Sequence, residues 1–351
     1  MQVKSSILFS CFIALAYAAY PNPLPGTSDV HIRDPSIVYN ADLKTYYLFG
    51  TGKHLPYYSS KNLTGPYKRV GQVLPNCSSI DLPSSCMNWA PDVALVNGQY
   101  VLYYSLPHSG FQSYSAVGLA TSPSMKPGTW EDHGLIQHGN DASDGGNDTF
   151  HTSTFFSIDA NLIETPSGLT LTYGSYLGGI FQRSGLLSPV HDAHNLIHLV
   201  DMSSVHDVAD PSKMPGKHLA GGGNRPCEGA FVYHKNDWFY LFVSYGITIV
   251  DPNHPVAKNR EYHVTVGRSK SVSGPFLDKN GTDMVKVANG TVVLKTHDNV
   301  YVPGGQSIFL DPVSKRDVMV YHYVPHSNLS APTNLGINFL DFASGWPVLV
   351  E

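Results

Sequence analysis

Asp34-Pro35-Ser36-Ile37-Val38 runs into a polar turn at residues 40–44 and then into a second apolar run, Tyr46-Tyr47-Leu48-Phe49-Gly50. A second copy reads Asp92-Val93-Ala94-Leu95-Val96, then Asn97-Gly98, then Tyr100-Val101-Leu102-Tyr103-Tyr104-Ser105. The phrase returns at Asp159-Ala160-Asn161-Leu162-Ile163, at Glu228-Gly229-Ala230-Phe231-Val232 and at Gly305-Gln306-Ser307-Ile308-Phe309. Each copy has the form of a β-hairpin, and Asn97-Gly98 is its strongest short signal, because a tight hairpin turn needs positive φ at both central residues. The lead residues lie 58, 67, 69 and 77 residues apart, too far for one hairpin and suited to a four-stranded sheet with its loops. Matching outer phrases, Leu63-Thr64-Gly65-Pro66-Tyr67, Gly128-Thr129-Trp130 and Gly274-Pro275-Phe276, repeat the spacing. The expected fold is all-β: a five-bladed β-propeller, one domain over residues 19–351. Blade one covers about 31–74 and blade two about 88–137, while blade three starts near Ser157.

In a propeller the first strand of every blade lines the central channel, so the lead residue of each phrase is expected to face it. Four of the five leads, Asp34, Asp92, Asp159 and Glu228, are acidic.

Composition narrows the setting. With 42% hydrophobic residues, 11% aromatic residues and 21 Tyr, the chain can build a large β-rich core and sugar-stacking surfaces. A formal charge of -5 argues against a nucleic-acid partner. Residues 1–18 read as a signal peptide, with Lys4 in the head, an apolar run at 7–15 too short to span a bilayer, and Ala16-Tyr17-Ala18 at the cleavage site. The mature protein is expected to be secreted, monomeric and free of membrane. Sequons at Asn62, Asn76, Asn147, Asn280, Asn289 and Asn328 suit a secreted glycoprotein. Cys77 and Cys86, nine residues apart in a Pro/Ser-rich loop, are the natural disulfide, which leaves Cys227 as a buried thiol.

Two further stretches invite a chemical reading. His191, His194 and His198, at spacings of three and four, would share one face of a helix and could bind a metal; a solvated insertion loop over 189–220 is the plainer reading. Gly221-Gly222-Gly223 lacks the Lys-Ser/Thr of a phosphate loop and reads as a turn.

Glycoside hydrolysis needs a carboxylic acid to protonate the leaving oxygen and a carboxylate to activate water or attack the sugar. Asp34, Asp159 and Glu228, brought round one channel by three blades, would supply these. The alternative is that channel carboxylates pair with Arg, bind backbone or hold Ca2+.

Arg33-Asp34-Pro35, Trp89-Ala90-Pro91-Asp92, Ile158-Asp159, Gly174-Ser175-Tyr176 with Gly178-Gly179-Ile180-Phe181, Cys227-Glu228-Gly229 and Gly345-Trp346-Pro347 together resemble the secreted arabinanases of glycoside hydrolase family 43. The resemblance runs over about 31–350. It implies a five-bladed propeller with inverting chemistry on α-1,5-linked arabinan, a plant cell-wall polysaccharide. By position it makes Asp34 the general base, Glu228 the general acid, and Asp159 the carboxylate that tunes and orients the acid. Trp89, Ser175 and Tyr176 fall where the family contacts sugar, and Asp92 has either a substrate contact or a supporting role. Arabinanases commonly carry a histidine in the fifth-blade phrase that helps hold a channel ion, whereas this chain reads Tyr301-Val302-Pro303-Gly304-Gly305-Gln306-Ser307. No cofactor is expected to be required, and a channel Ca2+ is left open. Leu177 stands where the family often has a bulky aromatic, so substrate length is open too. The competing readings are an exo-acting arabinofuranosidase or β-xylosidase on the same scaffold, and a non-catalytic sugar-binding propeller.

Overall fold

The computed structural model describes residues 20–107, 115–138, 157–166, 168–175, 179–184, 197–201, 227–284 and 290–351. The signal segment, Tyr176, Leu177, His191, His194, Gly221-Gly222-Gly223 and the sequons Asn147 and Asn289 lie outside them.

Described strands form five antiparallel sheets. Blade one orders β1 (Ser36–Asn40), β2 (Thr45–Phe49), β4 (Pro56–Ser60) and β5 (Lys68–Gln72). Blade two orders β6 (Met87–Val96), β7 (Gln99–Pro107), β8 (Ser115–Ser122) and β9 (Glu131–His138), with the short β3 (Gly52–Lys53) of the first blade paired to the start of β6. Blade three orders β10 (Asn161–Thr165), β11 (Gly168–Ser175), β12 (Gly179–Ser184) and β13 (Ile197–Asp201). Blade four holds β14 (Cys227–Lys235), β15 (Trp238–Tyr245), β16 (His263–Ser269) and β17 (Thr291–Leu294). Blade five holds β18 (Val300–Leu310), β19 (Asp317–Pro325), β20 (Asn334–Asp341) and β21 (Val348–Val350). The first strands touch in sequence, β1 to β6 to β10 to β14 to β18, and β18 returns to β1. That closed ring is the five-bladed propeller.

Local chemistry explains the blades. Asn97 (φ 50°) and Gly98 (φ 80°) make the two-residue turn that sets Val96 opposite Gln99. Side chains then alternate between the two faces of each sheet. Leu102 and Tyr104 pack with Tyr47, Phe49 and Tyr57 of blade one, whereas Val101 and Tyr103 pack with Leu171 and Tyr173 of blade three. Similar apolar clusters fill the joints between blades three and four, four and five, and five and one. The core is therefore five wedges between sheets.

The proline-rich stretch of residues 21–25 leads into a short 3-10 turn at Thr27–Asp29, and it has a task. Leu24 N–H donates to Ile337 O and Leu335 N–H to Val30 O, both at 2.8 Å, so the start of the described chain is stitched along β20 and helps to close the ring.

Cys77 and Cys86 are joined, and Cys227 is a buried free thiol, as the spacing predicts. Burial, helped by the charge of Glu228, pushes the Cys227 thiol far above its ordinary range, so it is no nucleophile. His198 lies in strand β13, paired with Phe181, and not in a helix, while His191 and His194 lie outside the described residues.

Candidate active site

The five phrases converge on the channel with a register that their lead residues do not share. Ser36, Asp92, Asn161, Phe231 and Ser307 are equivalent, since they pair with Phe49, Tyr103, Thr172, Phe242 and Val320 of the neighbouring second strands. Two residues earlier in each blade stand Asp34, Ala90, Asp159, Gly229 and Gly305, with φ of 49°, 41°, 55°, 62° and 59°. Every blade thus enters its first strand through a left-handed residue, and these residues with their successors line the central cavity. Glycine, Asp and Asn accept that conformation most readily, which suits four of the five positions.

This register bears on the two readings of Asp92, a substrate contact or a supporting role. It stands two places past its blade's left-handed residue, and its carboxylate is spent between blades. Oδ2 accepts from Asn161 Nδ2 at 3.1 Å and from Leu162 N–H at 3.0 Å, and Ser36 Oγ points at Oδ1. Its role is supporting.

Asp34 and Asp159 line the central cavity together with Gly229, the neighbour of Glu228, and the three carboxyls are half-buried and near enough for their charges to act on one another. Their environments differ. Burial would raise Asp34, but the hydrogen bond and charge of His322, the Arg33 guanidinium and the Thr51 hydroxyl outweigh it and hold the carboxyl at about 2. Thr51 Oγ1 donates to Asp34 Oδ2 at 2.6 Å, and His322 Nδ1 lies 3.3 Å from Oδ1 and 3.1 Å from the Asp34 amide. Burial holds His322 itself below its ordinary pKa, so its ring is neutral near pH 7 and Nδ1 serves one of those two partners at a time.

Glu228 is pushed up by burial; the Asp34 charge adds to this, while Arg33 and the Tyr262 hydroxyl, which donates to Glu228 Oε1 at 3.0 Å, pull the other way. Asp159 is raised further still, by burial and then by the charges of Glu228 and Asp34. Two buried carboxyls that repel one another share a proton as a pair. Asp34 is therefore held in its ionised form while the neighbouring pair is pushed toward the protonated form, the contrast that acid–base work requires.

Trp89 is half-buried on β6 opposite Ser105. Ser175 is fully buried at the end of β11, and among the described residues its hydroxyl has no partner. Among the described residues the ligand atoms of His54, Cys77 and Cys86 converge, but the two sulfurs are bonded to each other, which leaves no metal site there.

Several neighbours of the carboxylates escaped the sequence reading. Thr51, Ser105, Ser244 and His322 occupy one register position, two residues past the second-strand partner of the phrase. Each receives the amide of the next blade's left-handed residue: Ala90 N to Thr51 Oγ1 at 2.9 Å, Asp159 N to Ser105 Oγ at 2.8 Å, Gly305 N to Ser244 Oγ at 3.1 Å, and Asp34 N to His322. The signal was a polar residue closing an apolar run in four of the five blades. Tyr262 is seated by Gly304, where an added Cβ would come within 2.1 Å of its ring.

A family model described as glycosyl hydrolases family 43 matches residues 21–347. The chain belongs to that family. Within the family's known members, the probable arabinan endo-1,5-alpha-L-arabinosidase A of Aspergillus fumigatus is 38% identical over 347 residues, 98% of each chain. Among solved structures, the GH43 endo-arabinanase of Bacillus licheniformis superposes with a TM-score of 0.70 at 26% identity, over 92% of this chain and 98% of that one. An exo-1,5-alpha-L-arabinanase from a bovine ruminal metagenomic library gives 0.70 at 24% identity, over 93% and 99%. The family fold is thus common to endo- and exo-acting enzymes, and substrate and mode of attack have to be argued from the site.

Proposed function

We propose that this protein is a secreted, monomeric endo-arabinanase that cleaves α-1,5-arabinofuranosidic linkages with inversion. The observation that carries the reading is the opposite tuning of carboxyls at one mouth: Asp34 held at about 2, Glu228 and Asp159 pushed up. Asp34, ionised at any working pH, takes a proton from water as the water oxygen bonds to the anomeric carbon. Glu228 gives its proton to the departing sugar oxygen, and Asp159, which shares a proton with Glu228 as a pair, tunes and orients the acid. Trp89 and Tyr176 are assigned to sugar contact, with the Trp89 ring as a platform for an apolar sugar face, whereas Ser175, fully buried, has no surface to offer a sugar.

No metal is needed for these steps. At the fifth blade, Gln306 accepts from Ser244 Oγ at 2.6 Å and donates to Gly229 O, so its side-chain amide serves a protein partner at each end.

Incubation with linear arabinan, followed by chromatography and proton NMR, tests the proposal. A spread of oligosaccharide sizes in the first turnover products, with inverted anomeric configuration, is expected. One product size from the outset would make the enzyme exo-acting, and retained configuration would overturn the assignment of Asp34 as base. An inverting pair separates its carboxyls by roughly 6.5–9.5 Å, against roughly 5–5.5 Å for a retaining pair.

A further inference from the structure

Four blades hold the next blade's left-handed amide with a side chain from the second strand. Blade three has none to offer. The equivalent position, two past Thr172, is Gly174, where an added Cβ would lie 2.2 Å from Gly179 O. The turn left without that support is the one carrying Glu228, and its left-handed residue is Gly229, the residue type with the most backbone freedom.

Other groups hold it on both edges. Gly229 N–H donates to Asp159 Oδ2 at 2.9 Å from blade three, and Gly229 O accepts from Gln306 Nε2 at 2.5 Å from blade five. Gln306 is only 5% exposed. Its orientation is unambiguous, since a carbonyl can only accept and Ser244, which takes the Gly305 amide, gives its own proton to Gln306 Oε1.

We infer that Gln306 is a positioning residue for Glu228: it holds the carbonyl of the residue after the acid from the neighbouring blade, while Asp159 takes the amide that in the other four turns goes to Thr51, Ser105, Ser244 or His322. The inference rests on the reading of Glu228 as the general acid. A loosened Gly229 peptide lets the Glu228 carboxyl drift from the leaving oxygen, and that matters in proportion to how much the leaving group needs a proton.

The test compares kcat on linear arabinan with kcat on an aryl arabino-oligosaccharide bearing a dinitrophenyl leaving group. Gln306→Met keeps the shape and removes the bond. It is expected to lose about tenfold or more on arabinan and less than about threefold on the aryl substrate, a weaker version of the pattern for Glu228→Ala. Equal losses on both substrates, or none, with Glu228→Ala still selective, would overturn the role of Gln306 alone. A Glu228→Ala enzyme without selectivity would instead overturn the acid assignment on which the inference stands.

Should Gln306→Met fail to fold, the isosteric Gln306→Glu gives the same reading. Ionised, the new carboxylate cannot donate to Gly229 O; protonated, it can. The arabinan deficit relative to wild type should shrink as pH falls, and a deficit constant with pH would refute the proposal.

Discussion

Asp34 and Asp159 both occupy left-handed positions in the same ring, and what separates them is the partner each one meets. Asp34 has a neighbouring cation and two donors and is held at about 2; Asp159 faces two other carboxyls and receives one backbone amide. The Asp159–Glu228 repulsion makes a sharp prediction. Asp159→Asn removes a negative charge beside the acid, so Glu228 gives up its proton more easily and its pKa falls. The alkaline limb of the kcat/KM profile on arabinan should then move to lower pH. A limb that stays put, or moves up, would show that Glu228 does not depend on that charge.

At the level of the strand, the joints are held by a second set of side chains. Ser36 Oγ accepts Val93 N–H at 3.3 Å, Asp92 Oδ2 accepts Leu162 N–H, and Asn161 Oδ1 accepts Val232 N–H at 2.8 Å, each tying a first strand to the next. Asp92 is the ionisable member, and burial, opposed by the bonds from Leu162, Asn161 and Ser36, raises it to about 6. The folded state thus holds the proton more tightly than the unfolded chain, whose carboxyl titrates near 4, and stability declines as pH rises between those two values by roughly 2–3 kcal/mol. Asp92→Asn cannot ionise, yet its oxygen can keep the Leu162 and Asn161 bonds while its NH2 faces Ser36. Thermal melts from pH 4 to 8 should show a flatter profile for the variant, which gains on wild type as pH rises from about 4 to about 6 and holds that gain above. Parallel profiles would contradict the assignment.

Across the whole molecule, stability is divided among five apolar wedges and closed by the lead-in along β20. Among the described residues, no helix is long and apolar enough to cross a membrane. The one disulfide ties the loop between blades one and two, where the outermost strand of one sheet passes to the innermost of the next. Thiol titration of the protein without residues 1–18, denatured without reductant, should find one sulfhydryl, that of Cys227. Three would refute the Cys77–Cys86 pairing.

What was legible in the sequence was whatever repeats locally. Alternation, the Asn97-Gly98 turn and five phrases at similar intervals determined the strand pairs and the blade count, because side-chain period and turn chemistry act over a few residues. The same phrases placed Asp34, Asp159 and Glu228 on strands entering one channel. They misplaced Asp92 by two residues and Glu228 by one against the ring, because bulges between Trp89 and Asp92 and between Glu228 and Phe231 shift the register, and a bulge has no fixed signature in a single strand. Only the tertiary structure decided which carboxyl is held ionised and which are pushed toward the protonated form. His322 lies 288 residues from Asp34, and Gln306 lies 77 from Gly229. A pKa is set by groups a few ångströms away through space, and closing the ring is what puts them there.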